Sequence, residues 1–298
     1  MAKIINGKEI STNLRAQLKE EVAVLSNQGI TPSLAVIIVG ENPASKVYVR
    51  NKKKACEEIG IRSLEFALPT ETTETDLLSL IDELNAKDDV NGILVQLPLP
   101  SHLDEKTVIE RISPLKDVDA FHEMNVGKIM TGNFKFLPCT PAGIIHLLDT
   151  SNIEIGGKHC VVIGRSNIVG KPLAMLMLHR DATVTICHSK TQKLKELCQS
   201  ADILVAAVGR ANFVTADMVK PGAVVVDVGI NRREDGKLCG DVDFESVKDL
   251  ASYITPVPGG VGPMTIAMLM QNTITAAKLQ AKNGIAKFVY TRLDHKQQ

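Results

Sequence analysis

Short runs of β-branched and aliphatic residues alternate with longer amphipathic stretches along most of this chain, and that alternation restricts the fold more than any other feature. In the first half, a helix-period stretch at 9–27 precedes the run Leu34-Ala35-Val36-Ile37-Ile38-Val39, which ends at Gly40. A helix at 44–59 then leads to a strand at 63–68. A helix at 73–86 leads to Gly92-Ile93-Leu94-Val95-Gln96-Leu97. Strands that are apolar throughout and separated by helices predict parallel sheet covered on both faces. The stretch 99–139 is less regular, with Pro98, Pro100, Pro114 and Pro138 in or beside it, and reads as the loop-rich far side of a first domain. A helix at 141–150 opens a second series, with strands at 159–163, 183–187, 202–207 and 223–228 and a short strand at 252–255. The rigid turn Pro256-Val257-Pro258-Gly259-Gly260-Val261-Gly262-Pro263 follows, and a long helix at 264–281 closes the pattern. Pro263 fits the first turn of that helix, where a missing N–H loses no bond. At roughly 150 residues per domain, 298 residues accommodate two.

The charge balance excludes broad function classes. Thirty-four Lys and Arg face 34 Asp and Glu, so the net charge is zero. A general nucleic-acid or anionic-membrane binder would carry a basic excess. No apolar run approaches the roughly 18 residues of a membrane span. Met1-Ala2-Lys3-Ile4-Ile5-Asn6-Gly7 has neither an apolar targeting core nor a cleavage site, so a cytoplasmic chain is expected. The six cysteines contain no C-x-x-C pair and read as free thiols in a reducing compartment, with no metal site expected.

In the second series, Cys160-Val161-Val162-Ile163 runs into Gly164-Arg165-Ser166-Asn167-Ile168-Val169-Gly170-Lys171-Pro172 and then a helix. A strand, a glycine turn and a helix N-terminus together direct N–H groups and the helix dipole at phosphate. Ser166 stands where G-x-G-x-x-G would place its second glycine, which leaves its hydroxyl as a donor. With four further strands in order, the stretch predicts a Rossmann-type dinucleotide domain. NAD sites place Asp or Glu at the end of the next strand, to hold the ribose 2′-hydroxyl. Here Thr183-Val184-Thr185-Ile186-Cys187 ends in His188-Ser189-Lys190. With no acid there, and with Arg165, His188 and Lys190 able to meet a 2′-phosphate, the cofactor is expected to be NADP. A solvated Lys190 at a helix start is the alternative. Gly209 and Gly229 each follow an apolar strand and would let a nicotinamide ring approach, with Ile230 packing on it. Ordinary tight turns would read the same way.

The helix at 44–59 carries an unusual lysine. At 100° per residue, Ala44, Tyr48, Lys52, Ala55 and Ile59 share an arc of about 80°. A lysine on a buried stripe must be paired or have its pKa lowered. Tyr48, one turn earlier, is within reach, and such a pair suits proton transfer near neutral pH. A lysine extending to solvent from the edge of the stripe is the alternative. Gln96 ends its strand and, if buried, needs a partner, which Lys52 would supply. Lys116-Asp117-Val118-Asp119-Ala120-Phe121-His122 is either a solvated acidic turn or a site that binds an amidine-like heterocycle through paired hydrogen bonds.

Seven motifs together resemble one family. They are Tyr48-x-x-x-Lys52, Val95-Gln96-Leu97-Pro98-Leu99-Pro100, Lys116-Asp117-Val118-Asp119, Pro138-Cys139-Thr140-Pro141, Gly164-Arg165-Ser166-x-Ile168-Val169-Gly170, Asp227-Val228-Gly229-Ile230-Asn231 and 256–265. In order and spacing, over nearly the whole chain, they look like the bifunctional methylenetetrahydrofolate dehydrogenase/methenyltetrahydrofolate cyclohydrolases of FolD type. One departure is Ala120, where the family usually has glycine. The resemblance implies an α/β fold of two domains with a cleft between them. A catalytic, folate-binding domain would cover 1–140, joined by the C-terminal helix at 264–298, and an NADP-binding Rossmann domain would cover 141–263. It implies that Lys52 is the catalytic lysine of the cyclohydrolase step, that Gln96 tunes it, and that Tyr48 stacks on or hydrogen-bonds near the folate. Asp119 would anchor the pterin, with Leu97 beside it. Pro258, Gly259, Gly260 and Val261 would form the wall of the folate pocket, and Gly164, Arg165, Ser166, Ser189 and Ile230 would contact NADP. Folate substrates, a homodimer, and no nucleic-acid or membrane partner are implied as well.

Two other readings stay open on the residues. One is a plain NADP-dependent dehydrogenase of another small molecule, such as an amino-acid- or shikimate-type enzyme. The other is a catalytically idle NADP-binding sensor. The Pro-Gly-Gly turn and the Asp119 loop argue against the first, and the presence of both Lys52 and Asp119 argues against the second. The cofactor expectation is checked by measuring KM for both nicotinamide cofactors. The value for NADP+ should be the lower, and a preference for NAD+ would refute the reading of 188–190.

Overall fold

The computed structural model describes residues 1–233 and 235–294. In chain order the elements are β1 (Lys3–Ile4), α1 (Gly7–Asn27), β2 (Ser33–Val39), α2 (Pro43–Ile59), β3 (Arg62–Leu68), α3 (Glu74–Ala86) and β4 (Gly92–Val95). Then come α4 (Glu105–Arg111), α5 (Glu123–Met130), α6 (Cys139–Thr150), β5 (His159–Ile163), α7 (Gly170–Leu178), β6 (Thr183–Cys187), α8 (Leu194–Gln199) and β7 (Ile203–Ala206). After a single 3₁₀ turn, β8 (Val224–Asp227), β9 (Asn231–Arg232), β10 (Leu238–Cys239), α9 (Phe244–Val247), β11 (Tyr253–Ile254) and α10 (Val261–Asp294) complete the chain. The fold class is mixed α/β with parallel sheets, as the alternation predicted.

Two compact units form. One comprises 15–126, 135–137 and 269–298. Its sheet has the order β3-β2-β4, all parallel, with Leu34 opposite Gly92 and Ile37 opposite Val95. The seven residues of β2 are all buried, as a central strand covered on both faces requires. Ala35, Ile37 and Val39 pack with Leu77, Ile81 and Leu84 of α3 and with Val108 of α4. α2 is bounded by local chemistry. The Asn42 side chain accepts from the N–H groups of Ala44 and Ser45, and Gly60 closes the helix at φ 88°. α10 ties down the loops of this unit. Asn272 Nδ2 donates to the carbonyls of Val118 (2.7 Å) and Leu137 (2.9 Å), and Gln280 Nε2 donates to those of Asn91 and Leu115.

The other unit comprises 1–14, 127–134 and 138–268. Its six strands run in the order β1-β11-β8-β7-β5-β6. Val161 and Ile163 of β5, Leu204 and Ala206 of β7 and Val225 of β8 build its core with Cys198 of α8. β1 pairs with β11, Lys3 opposite Tyr253, and so brings the N-terminus into this sheet.

The sequence reading needs two corrections. The stretch 99–139 holds two helices, α4 and α5. Both are short and interrupted by prolines and turns, so their periodicity is weak. The closing helix runs from Val261 to Asp294 rather than over 264–281, so Val261 and Gly262 open it, while Pro263 lies in its first turn as expected. Among the described residues, no helix is long and apolar enough to cross a membrane. All six cysteines are buried.

Asn272 is nearly fully buried. Asn272→Ala should lower the unfolding free energy by about 1–3 kcal/mol, the net loss of two hydrogen bonds made by a buried side chain. The midpoint of a urea titration, with an unchanged slope, checks this.

Candidate functional site

The crevice of a doubly wound sheet forms where the strand order reverses. In the six-stranded sheet that point lies between β5 and β7, because β6 lies on the other side of β5. Gly164 leaves β5 there at φ 132°, and a Cβ on it would lie 2.2 Å from the Ala207 carbonyl oxygen. Gly170 opens α7, and a Cβ on it would lie 2.1 Å from the Gly164 oxygen. Both positions exclude any side chain. Ser166 Oγ accepts from the N–H groups of Val169 (3.2 Å) and Gly170 (3.3 Å), so the hydroxyl caps the turn and keeps its proton to donate. Arg165 and Ser166 are exposed.

At the end of β6 the His188 N–H donates to Thr191 Oγ1 (2.8 Å), and His188 Nδ1 accepts from the Lys190 N–H (3.1 Å). This tight turn leaves Ser189 and Lys190 exposed and places no carboxylate at the strand end. Backbone donors at a helix N-terminus, a hydroxyl on each turn, a guanidinium and an ammonium make up a donor set that fits a pyrophosphate and an adenosine 2′-phosphate.

The end of β8 corrects the sequence reading of Gly229, while at Gly209, after β7, a Cβ would meet open space. Gly229 serves the protein's own packing, because a Cβ there would lie 2.2 Å from Asp241 Oδ1. Behind it, Asp227 accepts from the N–H groups of Gly229, Asp241 and Val242, each at 2.9 Å. A Cβ on Gly240 would lie 1.8 Å from Asp227 Oδ2. Ile230 is 48% exposed and available to pack on a ring.

In the other unit the buried side of α2 is formed by Ser45, Val49, Ala55, Cys56 and Ile59. The predicted stripe is thus rotated. Ala44 and Tyr48 are exposed, and Lys52 sits half-buried at the border. Lys52 Nζ donates to Gln96 Oε1 at 2.9 Å. Gln96 is itself locked, its Nε2 donating to the Leu97 carbonyl (2.7 Å) and its N–H to that of Ile37 (2.8 Å). The amide oxygen is therefore the atom turned to the lysine. Tyr48 stands one turn before Lys52, and partial burial raises its phenol pKa, so the hydroxyl stays protonated. Ser45, one turn earlier again, has a buried hydroxyl with no hydrogen-bond partner among the described residues. The sequence reading passed over it, although i, i+3 and i+7 spacing links 45, 48 and 52.

The 116–122 segment divides its charges. Lys116 Nζ turns inward to the carbonyls of Leu84 (2.9 Å) and Lys87 (2.6 Å) at the C-terminus of α3, and burial lowers its pKa. The Asp117 carboxylate accepts from Asn125 Nδ2 (2.8 Å) and from the N–H groups of His122 (2.9 Å) and Phe121 (3.2 Å), and burial raises its pKa. Both residues organise the loop, and Asp119 is left half-exposed on it. Ala120 is buried at φ 58°, a left-handed conformation that costs a non-glycine residue about 1 kcal/mol. The loop therefore keeps the geometry that glycine would give it.

The 256–261 turn belongs to the unit of the larger sheet. Gly259 has φ 107°, and its carbonyl accepts from the Lys8 N–H (2.9 Å). A Cβ on Gly260 would lie 2.6 Å from the Pro256 oxygen. Pro258 is exposed and Val261 buried.

The sequence matches two family profiles, "Tetrahydrofolate dehydrogenase/cyclohydrolase, catalytic domain" over 5–119 and the "NAD(P)-binding domain" of the same family over 138–281. It is 63% identical over 281 residues, 94% of this chain and 99% of the other, to a bifunctional protein FolD of Acetivibrio thermocellus. The fold is similar to the crystal structure of the bifunctional FolD enzyme from Campylobacter jejuni, with TM-score 0.92 and 51% identity over 94% of this chain and all of that one. It is also similar to a Trypanosoma brucei methylenetetrahydrofolate dehydrogenase-cyclohydrolase complexed with NADP and an inhibitor, with TM-score 0.90 and 39% identity over 94% of this chain and 98% of that one.

The chain belongs to the tetrahydrofolate dehydrogenase/cyclohydrolase family.

Within this family member, the structure joins Lys52 directly to Gln96, and Gln96 in turn to the Leu97 carbonyl. It sets Gly164 and Ser166 in one turn, with Gly164's N–H on the carbonyl of Cys187 at the end of β6. Asp227 and Asp241 were missed as organisers of the site. Their signal was an aspartate close to a glycine, two residues before Gly229 in Asp227-Val228-Gly229 and directly after Gly240 in Cys239-Gly240-Asp241, a proximity too common to single out.

Burial pushes Asp227 up to about 6. An unfolded aspartate titrates near 3.9, so between roughly pH 4 and 6 the folded chain holds the extra proton. Stability therefore rises as pH falls through that window, and the cost of ionising Asp227 is fully present above about pH 6. Relative to Asp227→Asn, the wild type should gain about 1 kcal/mol between pH 7 and pH 5. Urea midpoints at the two pH values check this.

Proposed function

We infer that the chain carries out two consecutive reactions on a reduced folate. The first is NADP-dependent oxidation of 5,10-methylenetetrahydrofolate to the 5,10-methenyl form, and the second is hydrolysis of that product to 10-formyltetrahydrofolate. The observation that carries this reading is the Lys52–Gln96 hydrogen bond of 2.9 Å in a chain that matches both family domains. We assign the catalytic, folate-binding domain to 1–140 with the helix 264–298, and the NADP-binding Rossmann domain to 141–263, whose 258–261 turn also borders the substrate.

NADP supplies the hydride acceptor of the first step. Gly164, Arg165, Ser166, Ser189 and Ile230 are assigned to hold it. The oxidation needs no protein base, because the two folate nitrogens stabilise the cation left when hydride departs. The protein's task there is positioning. Asp119 is assigned to the pterin through paired hydrogen bonds, Leu97 and Tyr48 to its rings, and the 258–261 turn, Pro258, Gly259, Gly260 and Val261, to a rigid border of the substrate.

Hydrolysis needs proton transfer. Water adds to the carbon between the two nitrogens, and Lys52 as the free amine takes a proton from it. The carbon–nitrogen bond at N5 then breaks, and Lys52 returns the proton to that nitrogen. The remaining hydroxyl becomes the formyl carbonyl and releases one proton to solvent. Gln96, held by Leu97 and Ile37, keeps the amine aimed, and Tyr48 offers a neutral hydroxyl beside it. A homodimer in the cytoplasm is our further assignment. It is supported by the resemblance.

Lys52→Met should abolish hydrolysis and leave NADP binding intact. One cuvette with 5,10-methylenetetrahydrofolate and NADP+ tests it by following NADPH and the methenyl absorbance separately. Wild type should form NADPH with little methenyl build-up, while in the variant methenyl should disappear only at the uncatalysed rate. Full cyclohydrolase activity in Lys52→Met would refute the role.

A further inference from the structure

Asp241 lies between β10 and α9, is 0% exposed, and directs both carboxylate oxygens at other parts of the chain. Oδ2 accepts from the N–H groups of Val208 (2.6 Å) and Gly209 (2.9 Å). Oδ1 accepts from the Arg210 N–H (2.9 Å) and from Asn231 Nδ2 (2.9 Å). Three of these donors belong to the loop that leaves β7, and the fourth follows Ile230 on the segment that leaves β8. One buried anion therefore ties two loops together at the carboxyl ends of adjacent parallel strands, where doubly wound sheets bind their ligands.

Asp241 is itself set in place by Asp227, which accepts its N–H, and Gly229 leaves the room its carboxylate needs. Every group facing the carboxylate in these bonds is a donor. An amide at this position would turn its NH2 group against N–H groups and lose part of the charge-assisted strength.

We propose that Asp241 is a positioning residue for the dinucleotide: by holding the loops after β7 and β8 at a fixed separation, it sets where Ile230 meets the cofactor, without touching the cofactor itself. The proposal rests on the assignment of Ile230 as an NADP contact. It makes the two activities separable, because hydrolysis of the methenyl substrate uses Lys52 and Gln96 and needs no dinucleotide.

The test uses the full chain with Asp241→Asn. KM for NADP+ is measured in the dehydrogenase assay, and hydrolysis of 5,10-methenyltetrahydrofolate is measured without cofactor. The expected result is a KM for NADP+ raised tenfold or more, the scale of lost hydrogen bonds to a charged group, with hydrolysis at the wild-type rate. A KM within twofold of wild type, or equal loss of both activities in a folded protein, overturns the proposal. If Asp241→Asn does not fold, Asn231→Ala decides, since it removes a single donor. A several-fold rise in KM with normal hydrolysis supports the proposal, and an unchanged KM overturns it. Ile230→Gly separates the two levels. If it leaves KM unchanged, the cofactor does not use this loop, and the proposal falls together with that assignment. If it raises KM and Asp241→Asn does not, the proposal alone falls.

Discussion

Where a loop leaves a parallel strand, its backbone N–H and carbonyl groups lose the neighbouring strand that satisfied them, and buried groups of this kind must find other partners. Much of this protein's functional architecture answers that requirement. Asp227 and Asp241 take up N–H groups after β7, β8 and β10. Ser166 and Thr191 do so after β5 and β6. In the smaller sheet, Asp117 satisfies the N–H groups of Phe121 and His122, and Lys116 and Asn272 satisfy carbonyls. The side chains that hold these loops are largely buried and fixed, which is what lets their neighbours Ser189, Ile230 and Asp119 stay exposed in defined places.

The same requirement engages several acidic residues with the protein's own donors. Asp117, Asp227 and Asp241 each accept several hydrogen bonds from the protein, and burial drives the first two toward their neutral forms. A carboxylate with its acceptor capacity filled has little left for a substrate. Asp119, half-exposed on a loop braced at Asp117 and at the Val118 carbonyl, keeps an accessible edge.

Glycine meets a spatial demand at the cofactor turn that no hydrogen bond could. At Gly164 and Gly170 a Cβ would enter the van der Waals radius of a carbonyl oxygen, so the turn closes on backbone alone. The serine between them does what a third glycine would not, capping the turn through its oxygen. Ala120 shows the limit of such demands. The left-handed conformation there is tolerated by a methyl because surrounding contacts dictate the loop.

The alternation of apolar runs and amphipathic stretches determined the α/β class and placed most strands within a residue or two, because a doubly covered parallel strand has no polar face to disguise it. The glycine turn after β5 and the acid-free end of β6 were legible too, since both are built from residues adjacent in sequence. Tertiary structure alone decided the rest. It turned the α2 stripe so that Tyr48 is exposed and Lys52 half-buried, a rotation of less than one residue that periodicity does not resolve. It brought Gln96 to Lys52 across 44 positions. It sorted Lys116 and Asp117 inward from Asp119, and it recruited Asp241 from beyond β10 to hold the loops after β7 and β8. These outcomes depend on which backbone groups the packed sheets leave unsatisfied, a quantity that exists only once the strands are paired.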